Sequence, residues 1–316
     1  MLTKKMTGRL GNQMFQYATI RAIQQKLYPE EKINLDFSEM YRSGKKSDGF
    51  SNQLVNFKID KSDVVVNKKS QISVLQRVML FKYYFERKII KLFSSKESYE
   101  WKKRQYEKSI QKRYNKHGLY LFSYGFYKFG LSKCKNKLFV GFFESPRFFD
   151  DIRERLLEEF QPTQSPGAEN NELYKAIDDS ESVCITIRRG DFTEKRFARS
   201  ANVCDEEYFT EGIQLMKRRL KNPRFFVFSD DISWVKNNMS FPDGTMFESG
   251  NDPVWEKLRL MYSCKHFILS NSSFSWWAQY LSRNEKKIVV APSVWRKMGY
   301  DGRDLYDKGW KLIERE

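Results

Sequence analysis

The stretch SVCITIRRGD, from Ser182 to Asp191, is an apolar and β-branched run that ends in charged residues. Three similar runs follow it along the chain: RFFVFSDD (Arg224–Asp231), KHFILSNSS (Lys265–Ser273) and KKIVVAP (Lys286–Pro292). Each has the length and composition of a buried strand. Helical patterns such as EEYFTEGIQLMKRRLK (Glu206–Lys221) lie between them. This alternation predicts a parallel sheet covered by helices, and therefore an α/β fold.

Polar residues follow these predicted strands directly, and open α/β sheets bind their ligands outside the carboxyl ends of the strands. The first strand ends in two adjacent arginines, which a turn at Gly190 could aim at one anionic group. A surface ion pair with Asp191 is the alternative interpretation. The predicted binding edge contains Arg188, Arg189, Ser229, Asp230, Asn271, Ser272 and Ser273.

A domain boundary is expected near residue 160. The stretch EFQPTQSPGAENNE, from Glu159 to Glu172, contains two prolines, a glycine and mostly polar residues, a composition typical of a linker. A chain of 316 residues is long enough for two domains of ordinary size. We therefore expect one domain at residues 1–160 and a second at residues 161–316.

The charge of the chain is concentrated in one segment. The whole chain has 57 Lys and Arg against 40 Asp and Glu, a net charge of +17, and residues 58–137 hold 21 of the basic and 6 of the acidic residues. Many Tyr and Phe residues are interleaved with these charges, so we expect a basic aromatic insert at about 58–137. Such a surface attracts nucleic acid, anionic lipid or phosphorylated substrates, or is simply a solvated face.

One part of this insert has the pattern of an amphipathic helix. VLQRVMLFKYYFERKIIKLF, from Val74 to Phe93, repeats apolar residues at helical spacing and interrupts them with cations. It suits a helix that lies on an anionic membrane or covers a basic groove, and equally one that packs in the core. Neither a signal peptide nor a run of 18 apolar residues is present. The expected location is the cytoplasm, with peripheral contact at the inner face of the membrane.

The cysteines and histidines do not predict a metal site or disulfides. Four widely spaced cysteines and two histidines form no CxxC pair and no cluster. Two of the cysteines lie within apolar stretches and are expected in the core, namely Cys184 and Cys264. The chain also lacks an Asp-x-Asp motif, and paired arginines can neutralise a phosphate leaving group without a metal.

The chain opens its first helix with an unusual motif, GRLGNQMFQYA, from Gly8 to Ala18. Two glycines permit close approach of backbone to a ligand, and a helix start can bind an anion or sugar hydroxyls. The alternative is a simple turn with Asn12 as a helix cap. In either case the helix is expected to carry one apolar stripe of Met14, Phe15, Ala18 and Ala22.

Taken in order, GRLGNQMFQYA, ITIRRGDF, FFVFSDD and CKHFILSNSSFSWWAQYLS resemble the α-1,2-fucosyltransferase family of inverting glycosyltransferases. GFFESPRFF (Gly141–Phe149) and VVAPSVW are also similar, and only the basic insert is unmatched. The resemblance implies a GT-B-like fold of two Rossmann-type domains that face a central cleft. Residues 1–160 would bind the acceptor and residues 161–316 the nucleotide sugar. GDP-fucose would be the donor substrate, with no cofactor and no metal.

The same resemblance implies roles for individual residues. Arg188 and Arg189 would hold the diphosphate, with further hydrogen bonds from Ser272 and Ser273. Asn12 and Gln13 of the opening loop would reach across the cleft to the sugar end of the donor. Arg188 would also act in catalysis by neutralising the leaving group, and Asp191, or otherwise Glu194, would serve as the base. The full candidate donor-binding set is Gly11, Asn12, Gln13, Thr186, Arg188, Arg189, Ser229, Asp230, Asn271, Ser272, Ser273 and Phe274.

Two positions depart from the family pattern. Thr186 replaces a histidine two positions before the arginine pair, and Lys257, which follows Glu256, replaces an acidic residue. Both positions lie near the nucleotide base in related enzymes, so another GDP-sugar or a UDP-sugar remains an alternative donor.

The expected acceptor is a galactoside linked to a lipid diphosphate, in the synthesis of an O-antigen-like surface glycan. The alternatives from another class are an inactive glycan-binding protein and a nucleic-acid-binding protein. The second leaves the motifs unexplained, and we expect no nucleic-acid partner.

Overall fold

The computed structural model describes residues 1–42, 50–69, 72–190, 203–297 and 302–315. The chain divides into two compact units. The main segment of the N-terminal unit is Met1–Glu159, and the C-terminal unit begins at Phe160, within the Pro- and Gly-containing stretch described above.

The N-terminal unit contains a parallel sheet of five strands in the order β3-β2-β1-β5-β4. Its strands are β1 (Leu2–Lys5), β2 (Ile33–Asp36), β3 (Val64–Val66), β4 (Leu119–Leu121) and β5 (Lys137–Val140). Its helices are α1 (Leu10–Leu27), α2 (Ser38–Arg42), α3 (Val74–Leu92), α4 (Lys96–Lys116) and α5 (Arg153–Glu159). The strand order reverses beside β1, so the loop between β1 and α1 leaves the sheet at a topological switch point.

Helix α1 is buried on almost all sides, which differs from the single apolar stripe expected from the sequence. Residues from Leu10 to Gln24 are buried almost without a break, including polar side chains such as Gln13, Gln16 and Arg21. The polar side chains mask the helical periodicity of a central helix, because they are buried while hydrogen-bonded to other protein groups.

Part of the basic insert forms a helical hairpin, because α3 and α4 pack together against the sheet. Met79, Leu80 and Tyr83 of α3 meet Ile110 and Tyr114 of α4 in one hydrophobic cluster, which also includes residues of β4 and β5. Ser73 caps α3 in a capping box with Gln76. Among the described residues, no helix is both long enough and apolar enough to cross a bilayer.

The chain turns sharply after β5, and this turn requires glycine at position 141. Gly141 has a φ of +140°, and a Cβ atom there would lie 1.8 Å from the carbonyl oxygen of Phe122. Replacing Gly141 by alanine is expected to lower the free energy of unfolding by about 3 kcal/mol, because backbone strain adds to a clash with backbone. Urea denaturation would measure the loss.

The matched control for this experiment is Gly130→Ala in the same unit. A Cβ atom at Gly130 would lie 3.7 Å from the Asn115 Cβ, an ordinary contact. We expect this change to alter the free energy of unfolding by less than about 1 kcal/mol. Equal effects of the two substitutions would contradict the account of the turn.

The C-terminal unit contains a parallel sheet of six strands in the order β8-β7-β6-β9-β10-β11. Its strands are β6 (Glu181–Ile187), β7 (Pro223–Ser229), β8 (Met246–Phe247), β9 (His266–Ile268), β10 (Val289–Pro292) and β11 (Lys311–Ile313). Its helices are α6 (Asn171–Asp178), α7 (Glu206–Arg219), α8 (Ile232–Asn238), α9 (Val254–Ser263) and α10 (Ser273–Leu281). Strand β6 is the first strand of this sheet along the chain. Strands β7 and β8 lie on one side of it, and β9, β10 and β11 lie on the other.

This order is that of a doubly wound Rossmann sheet. The α/β prediction is therefore confirmed, and all four strands predicted for this half of the chain are present. Strand β6 is buried from Ser182 to Ile187, which explains its continuous apolar sequence. Cys184 and Cys264 are buried, as predicted, and burial raises the pKa of the Cys184 thiol.

Candidate active site

The candidate site lies at the carboxyl edge of the C-terminal sheet. All the strand pairs of this sheet are parallel, so the residues that follow β6, β7 and β9 meet at one edge. The switch point of the sheet lies between β6 and β9, and that is where open α/β sheets bind their ligands. Arg188 and Arg189 follow β6, and the turn from Leu269 to Ser272 follows β9.

Two aspartates hold the arginine pair in place. The Nη1 atom of Arg188 lies 2.6 Å from Oδ2 of Asp230, and Oδ1 of the same aspartate accepts a 2.8 Å hydrogen bond from the backbone N–H of Arg189. The Nε atom of Arg189 lies 3.4 Å from Oδ2 of Asp231. Both arginine side chains remain partly exposed, at 21% and 24%. A guanidinium group can bond a carboxylate and a phosphate together, because its five N–H donors point in several directions.

Helix α8 fixes the position of Arg189 more closely. The Cζ atom of Arg189 lies 3.1 Å from the centre of the Trp234 ring, an arrangement that favours a guanidinium group. Asp231 caps α8 by accepting a hydrogen bond from the N–H of Trp234 at 3.3 Å. Sequence analysis did not assign Trp234 a role. The one sequence feature that points to Trp234 is its position three residues after Asp231, the second aspartate of FSDD.

Gly190 has a steric role in this arrangement. A Cβ atom at Gly190 would lie 2.4 Å from the Oδ2 atom of Asp230, the atom that pairs with Arg188. A larger residue would therefore displace the carboxylate that positions the arginines. The glycine of RRGD is explained by close packing rather than by a positive φ.

The turn between β9 and α10 brings a helix amino terminus to the same edge. Ser272 is the N-cap residue, and its Oγ accepts a hydrogen bond from the N–H of Phe274 at 3.3 Å. The side chain of Asn271 is buried and donates to the carbonyl oxygen of Trp295 at 3.0 Å. Ser273 and Phe274 are partly exposed. The N–H groups and the dipole of a helix start favour an anion there.

The side chains of Thr186 and Ser229 bond to the protein itself. The Thr186 hydroxyl is buried and accepts a hydrogen bond from the N–H of Ser270 at 3.0 Å, which ties β6 to the residues after β9. The Ser229 hydroxyl accepts from the N–H of Asp231 at 3.0 Å. These two buried side chains therefore stabilise the backbone at the carboxyl edge of the sheet, while Arg188 and Arg189 form the partly exposed surface of that edge.

An ion pair between a buried carboxylate and a partly buried lysine lies beside Ser229. The Nζ atom of Lys257 is 2.8 Å from Oε2 of Glu248 and donates to the carbonyl oxygen of Ser229 at 3.0 Å. The N–H of Ser229 donates to the other Glu248 oxygen at 2.6 Å. Burial raises the pKa of Glu248, and Lys257 opposes that shift. The lysine that departs from the family pattern is thus paired with a carboxylate that follows β8, a pairing that sequence analysis missed.

Glu256 has a separate structural role, because it binds residues near the start of the C-terminal unit. Its Oε1 atom accepts hydrogen bonds from the N–H of Gly167 and the hydroxyl of Tyr174, both at 2.9 Å. Its other oxygen lies 2.9 Å from Nη1 of Arg259. Glu256 therefore anchors the Pro- and Gly-containing stretch on α9.

The opening motif of the N-terminal unit forms a tight loop at the carboxyl end of β1. Gly8 has a φ of +79°, and a Cβ atom there would lie 2.5 Å from Nδ2 of Asn12, so the asparagine packs directly on the glycine. The buried Gln13 amide donates to the carbonyl oxygens of Gly8 and Ser51, at 2.9 and 2.8 Å, and accepts from the N–H of Gln53 at 3.0 Å. The N-cap of α1 is Arg9 rather than Asn12.

The three candidate residues of this loop thus differ in their surroundings. Gln13 holds the loop together through backbone groups, and Gly11 is buried in the first turn of α1, whereas Asn12 is partly exposed. The two candidate bases, Asp191 and Glu194, lie outside the described residues.

The fold and the edge of the C-terminal sheet define a class of protein. It is a Rossmann-type α/β protein with a pair of positioned arginines and a helix amino terminus at the switch point of its sheet, an arrangement suited to an anionic ligand. The sequence matches the model of glycosyl transferase family 11 over residues 52–314. The chain belongs to this family and is a glycosyltransferase, which confirms the predicted family and enzyme class.

Individual relatives are also similar. The chain is 30% identical to an alpha-1,2-colitosyltransferase of Escherichia coli, over 98% of each chain. It is 26% identical to the O-antigen biosynthesis glycosyltransferase WbnK of the same species, over 92% of this chain and 93% of that one. Among solved structures it is similar to the fucosyltransferase NodZ from Bradyrhizobium, with 13% identity, a TM-score of 0.49, and coverage of 88% and 91%.

Proposed function

We propose that this glycosyltransferase moves L-fucose from GDP-fucose to the 2-hydroxyl group of a galactoside, with inversion at the anomeric carbon. One observation carries the proposal. Arg188 and Arg189 are held by Asp230 and Asp231 at the switch point of a Rossmann sheet, where a sugar nucleotide would place its diphosphate. Family membership and the order of the motifs support the same reaction.

The arginines would act mainly on the leaving group. Glycosyl transfer passes through a state with oxocarbenium character, in which negative charge grows on the departing diphosphate. Fixed cations that interact more strongly as this charge grows lower the barrier. We assign this role to Arg188 and Arg189, with the amino terminus of α10 as a further partner, in place of a metal ion. The acceptor hydroxyl also needs a base, and Asp191, or otherwise Glu194, stays our candidate.

A colitose donor is the second candidate, favoured by the full-length similarity to an alpha-1,2-colitosyltransferase. Colitose is fucose without its 3-hydroxyl group, so the two donors would share the nucleotide and most of the sugar. A site built to bond the 3-hydroxyl would reject the deoxy sugar strongly, whereas an apolar site discriminates weakly. Comparing kcat/KM for the two nucleotide sugars would decide between them.

We further propose that the acceptor is a glycan on a lipid diphosphate, used in synthesis of an O-antigen-like polysaccharide at the cytoplasmic face of the membrane. Similarity to an O-antigen biosynthesis glycosyltransferase supports this pathway. Transfer to a synthetic galactoside with and without the lipid diphosphate would test it. A lower KM for the lipid-linked acceptor is expected.

A thermal-shift panel of GDP, UDP, ADP and CMP tests the proposed nucleotide. GDP is expected to raise the melting temperature, because a ligand at a hundred times its dissociation constant stabilises the native state by about 2.7 kcal/mol. Guanosine is the matched control, and it should give a much smaller shift since it lacks the diphosphate. Stabilisation by UDP but not by GDP would contradict the donor assignment while leaving the fold untouched.

A further inference from the structure

Helix α3 carries apolar side chains on two opposite faces. One face packs on the protein through Met79, Leu80 and Tyr83. The other face is exposed, and its residues recur at intervals of three and four positions, the spacing of one helix side. We name this exposed set the α3 stripe; it consists of Val74, Val78, Phe81, Phe85, Ile89 and Leu92, which are between 41% and 78% exposed.

Two further exposed apolar side chains follow α3 along the chain. Phe93 and Trp101 are also exposed, at 74% and 61%, and Lys102 of α4 donates a hydrogen bond to the carbonyl oxygen of Phe93 at 3.1 Å. Phe81 and Phe85 stack with a ring separation of 6.4 Å. Contiguous exposed apolar surface of this kind marks an interaction site rather than ordinary surface.

Cations border the stripe on both sides. At 100° per residue, Arg77, Lys88 and Lys91 lie along one flank of the stripe and Lys82 along the other, and all four are exposed. The only acidic residue of the helix, Glu86, lies 3.7 Å from the Lys82 amine. Helix α3 thus combines an apolar strip with positive edges, the arrangement that interfacial helices use on anionic bilayers.

We propose that the α3 stripe docks the protein on a membrane surface rich in anionic phospholipid. The apolar side chains would lie below the headgroups, and the flanking Lys and Arg side chains would meet the lipid phosphates. Trp101 suits the boundary between headgroups and acyl chains, where aromatic rings concentrate.

Charge argues against a second copy of the chain as the occupant. A dimer formed through the stripe would bring together two helices that each carry five Lys and Arg against one Glu, on chains of net charge +17. Repulsion between them would oppose the apolar contact. Nucleic acid would meet the cations but would leave six exposed apolar side chains without a partner.

Vesicle co-sedimentation of the full-length protein tests the proposal. We expect binding to vesicles of phosphatidylcholine with phosphatidylglycerol, weak binding to phosphatidylcholine alone, and release at high salt. The double variant Phe81→Ser/Phe85→Ser is expected to lower the partition coefficient by about tenfold or more, since it removes two large apolar anchors. Lys82→Gln/Lys88→Gln should lower it by about 25-fold, at about fivefold for each cation.

Val55→Ser and Leu312→Ser are matched controls, because both remove exposed apolar side chains that are not part of the α3 stripe. They should leave the partition coefficient unchanged. Circular dichroism and melting temperature would show that all variants are folded, as expected for exposed positions. Quenching of Trp101 fluorescence by brominated lipid, lost in Trp101→Phe, would place the stripe at the bilayer.

Three results would overturn the proposal. The first is equal binding to neutral and anionic vesicles, or vesicle binding that the Phe81→Ser/Phe85→Ser variant retains in full. The second is a wild-type dimer that the phenylalanine variant converts to a monomer, without vesicle binding. The third is binding to duplex DNA that the lysine variant loses, with no binding to vesicles. None of these measurements involves the donor or the acceptor, so their outcome is separate from that of the proposed reaction.

Discussion

Replacing Arg188 by alanine is expected to lower kcat for sugar transfer by about 10²- to 10³-fold, with the protein still folded. Arg188 lies at the end of β6 and pairs with Asp230 at 2.6 Å, so its guanidinium group is positioned before the donor binds. Positioned charge lowers a barrier more than mobile charge does, because little reorganisation remains for the transition state. Steady-state kinetics with the cognate nucleotide sugar would measure the loss.

Two further variants make this result specific. Arg188→Lys keeps the charge but loses the planar fork, so an intermediate loss is expected. Arg224→Ala removes an exposed arginine at the opposite end of the neighbouring strand β7, and it should leave kcat within about twofold, since surface changes of this kind are nearly neutral. Full activity of Arg188→Ala, or an equal loss in Arg224→Ala, would contradict the role assigned to this residue.

Replacing Arg21 by alanine is expected to lower the free energy of unfolding by about 3–5 kcal/mol. Arg21 lies in the middle of α1 with a fully buried side chain. Its Nη1 atom is 2.6 Å from Oδ2 of Asp63, its Nε atom is 3.4 Å from Oε1 of Glu159, and Nη2 donates to the Tyr17 hydroxyl at 2.9 Å. Alanine would remove the close partner of Asp63 and one of the two cations beside the buried Glu159 carboxylate, and weakening the pairing of a buried charge is strongly unfavourable.

Arg155 provides a matched control, because it pairs with the same carboxylate from the surface. Its Nε atom lies 2.9 Å from Oε1 of Glu159, but its side chain is 33% exposed. Arg155→Ala should cost only about 0–1 kcal/mol, since water screens its partly exposed guanidinium group and Glu159 keeps Arg21 as a partner. Urea denaturation followed by circular dichroism would compare the variants, and equal losses would show that burial does not decide the strength of this network.

The sequence was most informative where a strand is buried on both faces. Strand β6 is a continuous apolar run that ends at the arginine pair, and its position and direction place the candidate site at the carboxyl edge of the sheet. Strands β8 and β11, of two and three residues, were not predicted, because neither stands within a longer apolar run, whereas the equally short β9 does. The apolar stripe expected for α1 was wrong in extent, since buried polar residues complete its surface.

Contacts between distant residues were harder to predict. The ion pair of Glu248 and Lys257 joins a residue after β8 to the first turn of α9. No local sequence pattern predicts that this carboxylate and this amine will meet. The stacking of Arg189 on Trp234 likewise depends on how α8 leaves its strand. The pattern of α3 allowed both a buried and an exposed apolar face, and only tertiary packing showed that both exist.

A crystal structure of the protein with GDP tests most directly the claim that the carboxyl edge of the C-terminal sheet holds a sugar nucleotide by its diphosphate. The account predicts phosphate oxygens within about 3.2 Å of guanidinium nitrogens of Arg188 or Arg189, beside the amino terminus of α10. A nucleotide bound elsewhere, or bound here with its diphosphate remote from both arginines, would contradict it.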